Sequence, residues 1–316
     1  MSIDYAPTVT QHIAGHPTPV QCSQLTSEFG VEITGVDLTQ MSQESMQPFL
    51  KRFLLDHQVL LFRDQLLDET QQVRLAQSLG PCRKMWQIDH YVSDNEFVQY
   101  LSNVDRQGRF VGSHPDPHST CWHVDGSHTH VPSKATILNA LQVPPNSGHT
   151  MFASLYQIYD SLDDETKIQL AKHEAEHHIE FRRARRNGRL PWQWSLAKHR
   201  GASLTSQLKW WMSTIKRRWQ DGGVFHPIVR HHTETGRPVL FIGDHAWRVR
   251  GKFLPLGIKL MQQINSIEID PLAIYTHHWA KGDLLIWDNT SVLHRAGEYD
   301  LHNEARVLRR CVVEGV

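Results

Sequence analysis

The stretch WHVDGSH, residues 122–128, holds His123 and Asp125 two positions apart inside an apolar frame. On an extended strand, side chains two apart leave the same face, so one imidazole and one carboxylate could grip a metal ion from one side. A third ligand must then come from elsewhere. GDLLIWDNTSVLHRAG, residues 282–297, offers it: an apolar run ends at Asp288-Asn289, turns, and resumes to present His294. Two imidazoles and one carboxylate on one side leave the remaining positions of an octahedral ion open, as non-haem Fe(II) oxygenases require. Among 22 histidines an H-x-D pair alone carries little weight. His128 and His130 follow closely as rival ligands. HEAEHH also sets His173 and His177 four apart, a zinc-like spacing on a helix, but without the glutamate base at the position a zincin needs. A solvated helix face is the reading there.

The elements that would carry these residues can be read in outline. FGVEITGVDL (29–38) alternates like a strand, and SQESMQPFLKRFLLDH places Met46, Phe49, Leu50, Phe53 and Leu54 at helical spacing. QVLLFRDQ (58–65) reads as a buried strand, and DETQQVRLAQSLGP as a helix stopped by Gly80-Pro81. Further strands are expected at 96–102, 120–125, 135–142, 226–231, 238–243, 273–279, 283–288 and 305–313, with a helix over 160–173 opened by Asp160 or Ser161. Many short strands with few helices predict an α+β domain built on an antiparallel sandwich.

Composition excludes several classes. The 316 residues contain 33 Lys+Arg against 33 Asp+Glu, so no overall field favours nucleic acid. Four scattered cysteines fit reduced thiols, no apolar run is long enough to cross a bilayer, and the first residues lack a secretory pattern. A cytoplasmic protein is expected, with residues 1–20 as a flexible lead-in and 21–316 as one domain. One stretch stands apart. Between Arg182 and Gln220 lie eleven Lys/Arg, no Asp or Glu, and five of the ten tryptophans. Leu204, Leu208, Trp211, Ile215 and Trp219 form an apolar stripe there, which reads as a basic amphipathic helix. The insert, about 182–222, could dock on the body, cover a site mouth, serve a homo-oligomer interface, or meet an anionic surface.

From about residue 25 to its end the sequence resembles the taurine dioxygenase / 2,4-dichlorophenoxyacetate dioxygenase family of Fe(II)- and 2-oxoglutarate-dependent oxygenases. The resemblance rests on FGVEITGVDL, VLLFRDQ, LGP, WHVDGS, ALQVPPNSGHTMF, HPIVRHHTETGRPVLFIG and W-x2-GDLLIWDNTSVLHRA, followed by YD and RVLRRCVV, in the family's order. It implies a double-stranded β-helix (jelly-roll) core with flanking helices. It also implies an iron triad of His123, Asp125 and His294, with 2-oxoglutarate and O2 as cosubstrates. Thr150 of SGHT falls where the family has a hydroxyl on a 2-oxoglutarate carboxylate, and Arg306 where an arginine grips the far carboxylate. One extra residue after His294 leaves Arg310 as the alternative for that grip. Otherwise Arg310 matches the arginine that neutralises the substrate's acid group, or it pairs with a structural carboxylate.

The implied reaction is oxidation of a C–H bond, most simply hydroxylation, in a small carboxylate or sulfonate, with release of succinate and CO2. Asp125 itself argues against halogenation, because related halogenases carry a small residue in its place. Desaturation or cyclisation could use the same triad. A zinc hydrolase has no use for a second carboxylate clamp, and a silent binding module has no need of all three ligands. The interval from His123 to His294 exceeds that of the name-giving enzymes by about the length of the insert, and residues 83–120 match poorly. Substrate identity is therefore not legible.

Overall fold

The computed structural model describes residues 8–12, 19–112, 115, 119–179, 203–206, 208–209, 212 and 223–315. Its centre is an eight-stranded, mostly antiparallel sheet. In chain order these strands are β1 (Val9–Gln11), β2 (Val20–Gln24), β3 (Val31–Thr34), β4 (Val59–Phe62) and β5 (Gln99–Ser102). After β6 (Ala135–Gln142) come β7 (Thr150–Ser154), β8 (Glu174–His177), β9 (Val224–Pro227), β10 (Val229–His231), β11 (Pro238–Leu240), β12 (Ala246–Val249) and β13 (Ile274–His277), which lie outside it. Then β14 (Leu284–Asp288), β15 (Val292–Ala296) and β16 (Val307–Val313) close the chain, and β15 too lies outside the large sheet. The large sheet runs β1-β2-β3-β4-β14-β6-β16-β5, and a small one runs β13-β7-β15.

The central strands read as unbroken apolar runs because both of their faces are covered. In β14, Leu284 and Ile286 pack outward beneath two helices, α1 (Gln43–His57) and α2 (Glu69–Leu79), while Leu285 and Trp287 point inward. The inner layer joins Leu285, Trp287, Leu61 and Leu138 of the large sheet to Phe152 and Val292 of the small one. Each such side chain contributes about 1.5–3 kcal/mol on burial, so the two sheets are clamped face to face. The small sheet's far side is covered by α3 (Leu155–Asp160) and by a helix at Leu254–Asn265, with Met261 and Ile264 buried.

The chain passes between the sheets at Asp288-Asn289-Thr290. Asp288 accepts the Thr290 amide and hydroxyl, the Ser291 hydroxyl and His232 Nε2. This four-bond clamp turns β14 of the large sheet into β15 of the small one within three residues.

Several expectations change. Of the helix expected over 160–173 only α4 (Asp164–Leu170) forms, capped by Asp163; Asp160 and Ser161 instead end α3, which Ser154 caps. His173 and His177 do not share a helix, because residues 174–177 form β8, where His177 is buried against His226 and Phe241. Residues 226–231 divide between β9 and β10, which pair with different neighbours. Val9–Gln11, within the expected lead-in, pairs with β2. The helix at Leu254–Asn265 was not anticipated: Pro255 and Gly257 look like breakers, yet the proline sits in its first turn and a Cβ at Gly257 would lie 2.8 Å from the Val249 carbonyl. Most of the basic insert lies outside the described residues; within them Leu204 and Leu208 are helical and exposed. No described helix is long and apolar enough to cross a membrane.

Candidate metal centre

His123, Asp125 and His294 meet at one end of the space between the sheets, their ligand atoms all within 4.8 Å of one another. Among the described residues no other group of three metal-binding side chains meets this way. His294 lies in mid-β15, opposite Phe152, with its ring 4.8 Å from Trp287. His123 joins it by a two-bond bridge in which each amide donates to the other's carbonyl at 3.0 Å.

The local backbone differs from the expected strand over 120–125. Only His123 is bridged, and the chain turns directly after it, with the Ser127 amide reaching the Val124 carbonyl. Gly126 makes the turn possible: its φ is +70°, and a Cβ there would lie 2.3 Å from Ser133 Oγ. Asp125 thus comes to the same side as His123 through a turn rather than through strand periodicity. His128 and His130 lie beyond the turn and do not join the cluster.

The carboxylate is held by its outer oxygen. Thr136 Oγ1 donates to Asp125 Oδ2 at 2.8 Å, while Oδ1 lies 3.8 Å from Nε2 of both His123 and His294. Behind Thr136, Asn289 Nδ2 donates to the threonine oxygen and Trp287 Nε1 to Asn289 Oδ1, both at 2.9 Å. Burial pushes the Asp125 carboxyl up, but Arg310, the two histidines and the Thr136 hydroxyl outweigh it and hold the group well below its usual range. His123 Nδ1 contacts the Cys121 carbonyl at 2.8 Å, which keeps Nε2 as the free ring nitrogen.

Leu308 and Arg310 share the inward face of β16, Arg306 lies just before the strand, and Arg309 points outward, into bonds with Gln72, Leu67 and Asn139. Arg310 Nη1 lies 3.7 Å from Asp125 Oδ1, and its other nitrogens bind Gln99. Arg306 is buried, donates from Nε to the Gly148 carbonyl at 3.1 Å, and lies over the Tyr299 ring. Among the described residues its guanidinium meets no carboxylate. Burial accordingly draws it down to about 10 against a supporting effect of Tyr299. Thr150 opens β7 two residues from Gly148, and its hydroxyl accepts Trp279 Nε1 at 3.0 Å.

Sequence reasoning did not single out Thr136, Asn289, Gln99, Asn103 or Trp279. Asn103 fixes the approach to Arg306: its Oδ1 accepts the Arg306 amide at 2.8 Å while its Nδ2 donates to the Leu301 and Glu304 carbonyls. Only the W-x2-GDLLIWDN motif, which contains Trp279 and Asn289, offered a signal for any of them.

Two imidazole nitrogens and one carboxylate oxygen suit a divalent first-row metal such as Fe(II), and the uncompensated Arg306 suits a second, anionic ligand nearby. Comparison with known proteins agrees. Residues 21–312 match the family described as taurine catabolism dioxygenase TauD, TfdA family. A (S)-phenoxypropionate/alpha-ketoglutarate dioxygenase of Sphingobium herbicidovorans is 30% identical over 281 residues, covering 88% of this chain and 89% of the relative. An alpha-ketoglutarate-dependent 2,4-dichlorophenoxyacetate dioxygenase of Cupriavidus pinatubonensis is 27% identical over 303 residues, covering 89% and 93%. The crystal structure of AAD-2 with Mn(II) and N-oxalylglycine superposes with a TM-score of 0.74 at 24% identity, covering 94% of this chain and 97% of that one. The fold and the donor set together define a non-haem iron oxygenase that uses 2-oxoglutarate and O2. The chain belongs to the TauD/TfdA dioxygenase family.

Proposed function

We propose that His123, Asp125 and His294 hold Fe(II) on one face, and that Arg306 and Thr150 take the distal carboxylate of 2-oxoglutarate. Arg310 would take the acid group of a small anionic substrate whose C–H bond is oxidised, most simply by hydroxylation. The facing sheets would then be the two halves of a double-stranded β-helix. The observation that carries the reading is Arg306. A buried guanidinium without a counter-charge costs several kcal/mol, so its site is completed by an anion from outside.

With iron, 2-oxoglutarate and O2 bound, the metal and cosubstrate supply the oxidising power, with succinate and CO2 as by-products. The chain's own residues orient and exclude. Thr136 keeps Oδ2 of Asp125 occupied, so Oδ1, beside the two histidines, would hold the ion. Thr150 Oγ1 accepts from Trp279, and its own proton would serve a cosubstrate carboxylate. Phe152 and Trp287, against His294, exclude water from one side of the centre. An acid is supported as the substrate class by Arg310 beside Asp125 and by the acids named for both relatives.

The test is anaerobic. Fe(II) and 2-oxoglutarate should together give a weak visible charge-transfer band, absent in Arg306→Leu at the same concentrations. After air is admitted, succinate should form faster with the right acid than without. A folded, metal-loaded protein with neither band nor succinate contradicts the proposal.

A further inference from the structure

The inward face of β16 carries one arrangement that the proposed chemistry does not use. Gln99 lies directly across from Arg310 in the β5–β16 register and is fully buried. Its Oε1 accepts both Arg310 Nε, at 3.1 Å, and Nη2, at 2.5 Å. Its Nε2 donates to the Trp86 carbonyl at 3.0 Å. An amide free to flip could offer the guanidinium either end; this one cannot, because only the nitrogen can serve the carbonyl.

We infer that Gln99 is a positioning residue that sets Arg310 as the anion anchor beside the metal centre, and so sets the preference for acids over their neutral analogues. The inference rests on the reading of Arg310 given above. Two physical consequences lead to it. The clamp engages one edge of the guanidinium and aims the other, Nη1, toward the triad, where Asp125 Oδ1 at 3.7 Å is beyond a good hydrogen bond. Nη1 therefore keeps its hydrogens for an incoming acid. The clamp is also neutral. It fixes the cation without discharging it, whereas a glutamate of the same shape would form a bidentate pair and cancel the charge a substrate must find. Among the described residues, Asp125 is the one carboxylate within 4 Å of this guanidinium.

Gln99→Glu is the decisive variant, because it is isosteric and still offers Arg310 an oxygen, while it gives up the bond to the Trp86 carbonyl. Gln99→Leu, which frees the arginine, is the second. The probes are 2,4-dichlorophenoxyacetate, phenoxypropionate and a short alkyl sulfate, each beside a neutral amide or alcohol of the same body. Binding is read as a change in the anaerobic Fe(II)–2-oxoglutarate band. In Gln99→Glu the band and the 2-oxoglutarate affinity should stay within about twofold, acid probes should weaken by about tenfold or more, and neutral analogues should not move. Gln99→Leu should weaken the acids by about three- to tenfold, with KM changing more than kcat for any probe that is turned over. Acids that bind Gln99→Glu as well as wild type overturn the inference, and so does a wild-type band that no acid probe perturbs. A folded wild-type protein that gives no band contradicts the iron and 2-oxoglutarate reading itself.

Discussion

Thr136 and Asp125 come from neighbouring segments of chain, yet their contact decides which oxygen of the carboxylate faces the two histidines. The hydroxyl donates to Oδ2 at 2.8 Å and is itself backed by Asn289, which Trp287 holds in turn. Valine has the shape of threonine without the hydrogen bond. Thr136→Val should leave the fold intact and weaken divalent-metal binding by about 10- to 100-fold, the usual cost of losing a group that orients a ligand. Titration of the apoprotein with Fe(II) or Mn(II) under anaerobic conditions measures this. Wild-type affinity in the variant would mean that the two histidines orient the aspartate unaided.

Arg306 is expected to behave in the opposite way from an ordinary buried ion. It donates to the Gly148 carbonyl and lies over Tyr299, and no carboxylate offsets its charge among the described residues. Replacing a buried cation that lacks a counter-charge by an apolar side chain is often neutral or stabilising. Arg306→Leu should melt no lower than wild type without cosubstrate, while its KM for 2-oxoglutarate rises by about 100-fold or more. Wild-type protein should gain melting temperature on adding 2-oxoglutarate with metal, and the variant should not. A variant that unfolds while wild type ignores 2-oxoglutarate would make this arginine structural.

Three residues further on, within β16, Arg309 faces the other way and reverses the prediction. It faces the helices and donates to Gln72 Oε1 at 2.6 Å, to the Leu67 carbonyl at 2.5 Å and to Asn139 Oδ1 at 3.2 Å. Arg309→Leu strands three buried acceptors and should destabilise the protein by about 2–4 kcal/mol, read from the urea midpoint. Protein that remains folded should keep wild-type KM values. A large KM change at unaltered stability would show that the two faces of β16 are coupled.

The opposite facing of Arg309 and Arg310 was legible because a strand with period two leaves neighbours no freedom to share a face. His294 was legible because an apolar run broken by Asp288-Asn289 can only turn and resume. The pairing of His123 with Asp125 came out for the wrong local reason, since a tight turn at Gly126, not an extended strand, sets it. Gln99 and Asn103 were invisible because their partners are some 200 positions away, and nothing in a polar side chain's own neighbourhood records what a distant strand brings to it. His173 and His177 misled because a spacing of four implies one face only if the segment is helical, and β8 is extended.

His226 sets a pH dependence that can be separated from the metal centre. It is buried in β9 beside His177 and Phe241, with Nε2 against the Thr129 carbonyl at 3.0 Å. Burial, reinforced by Arg230, draws it down to about 4 from an ordinary 6.5. Between those values the unfolded chain binds a proton that the folded chain refuses, so stability falls as pH drops from 6.5 toward 4; above 6.5 both forms are neutral and the effect vanishes. The loss attributable to this group is about 3 kcal/mol at most. His226→Gln keeps a donor for the Thr129 carbonyl and removes the titration. The fall in melting temperature between pH 7 and pH 4.5 should therefore be smaller in the variant, by about 4–8 °C, while the two proteins differ little at pH 7. An equal fall in both would assign the acid sensitivity to other groups.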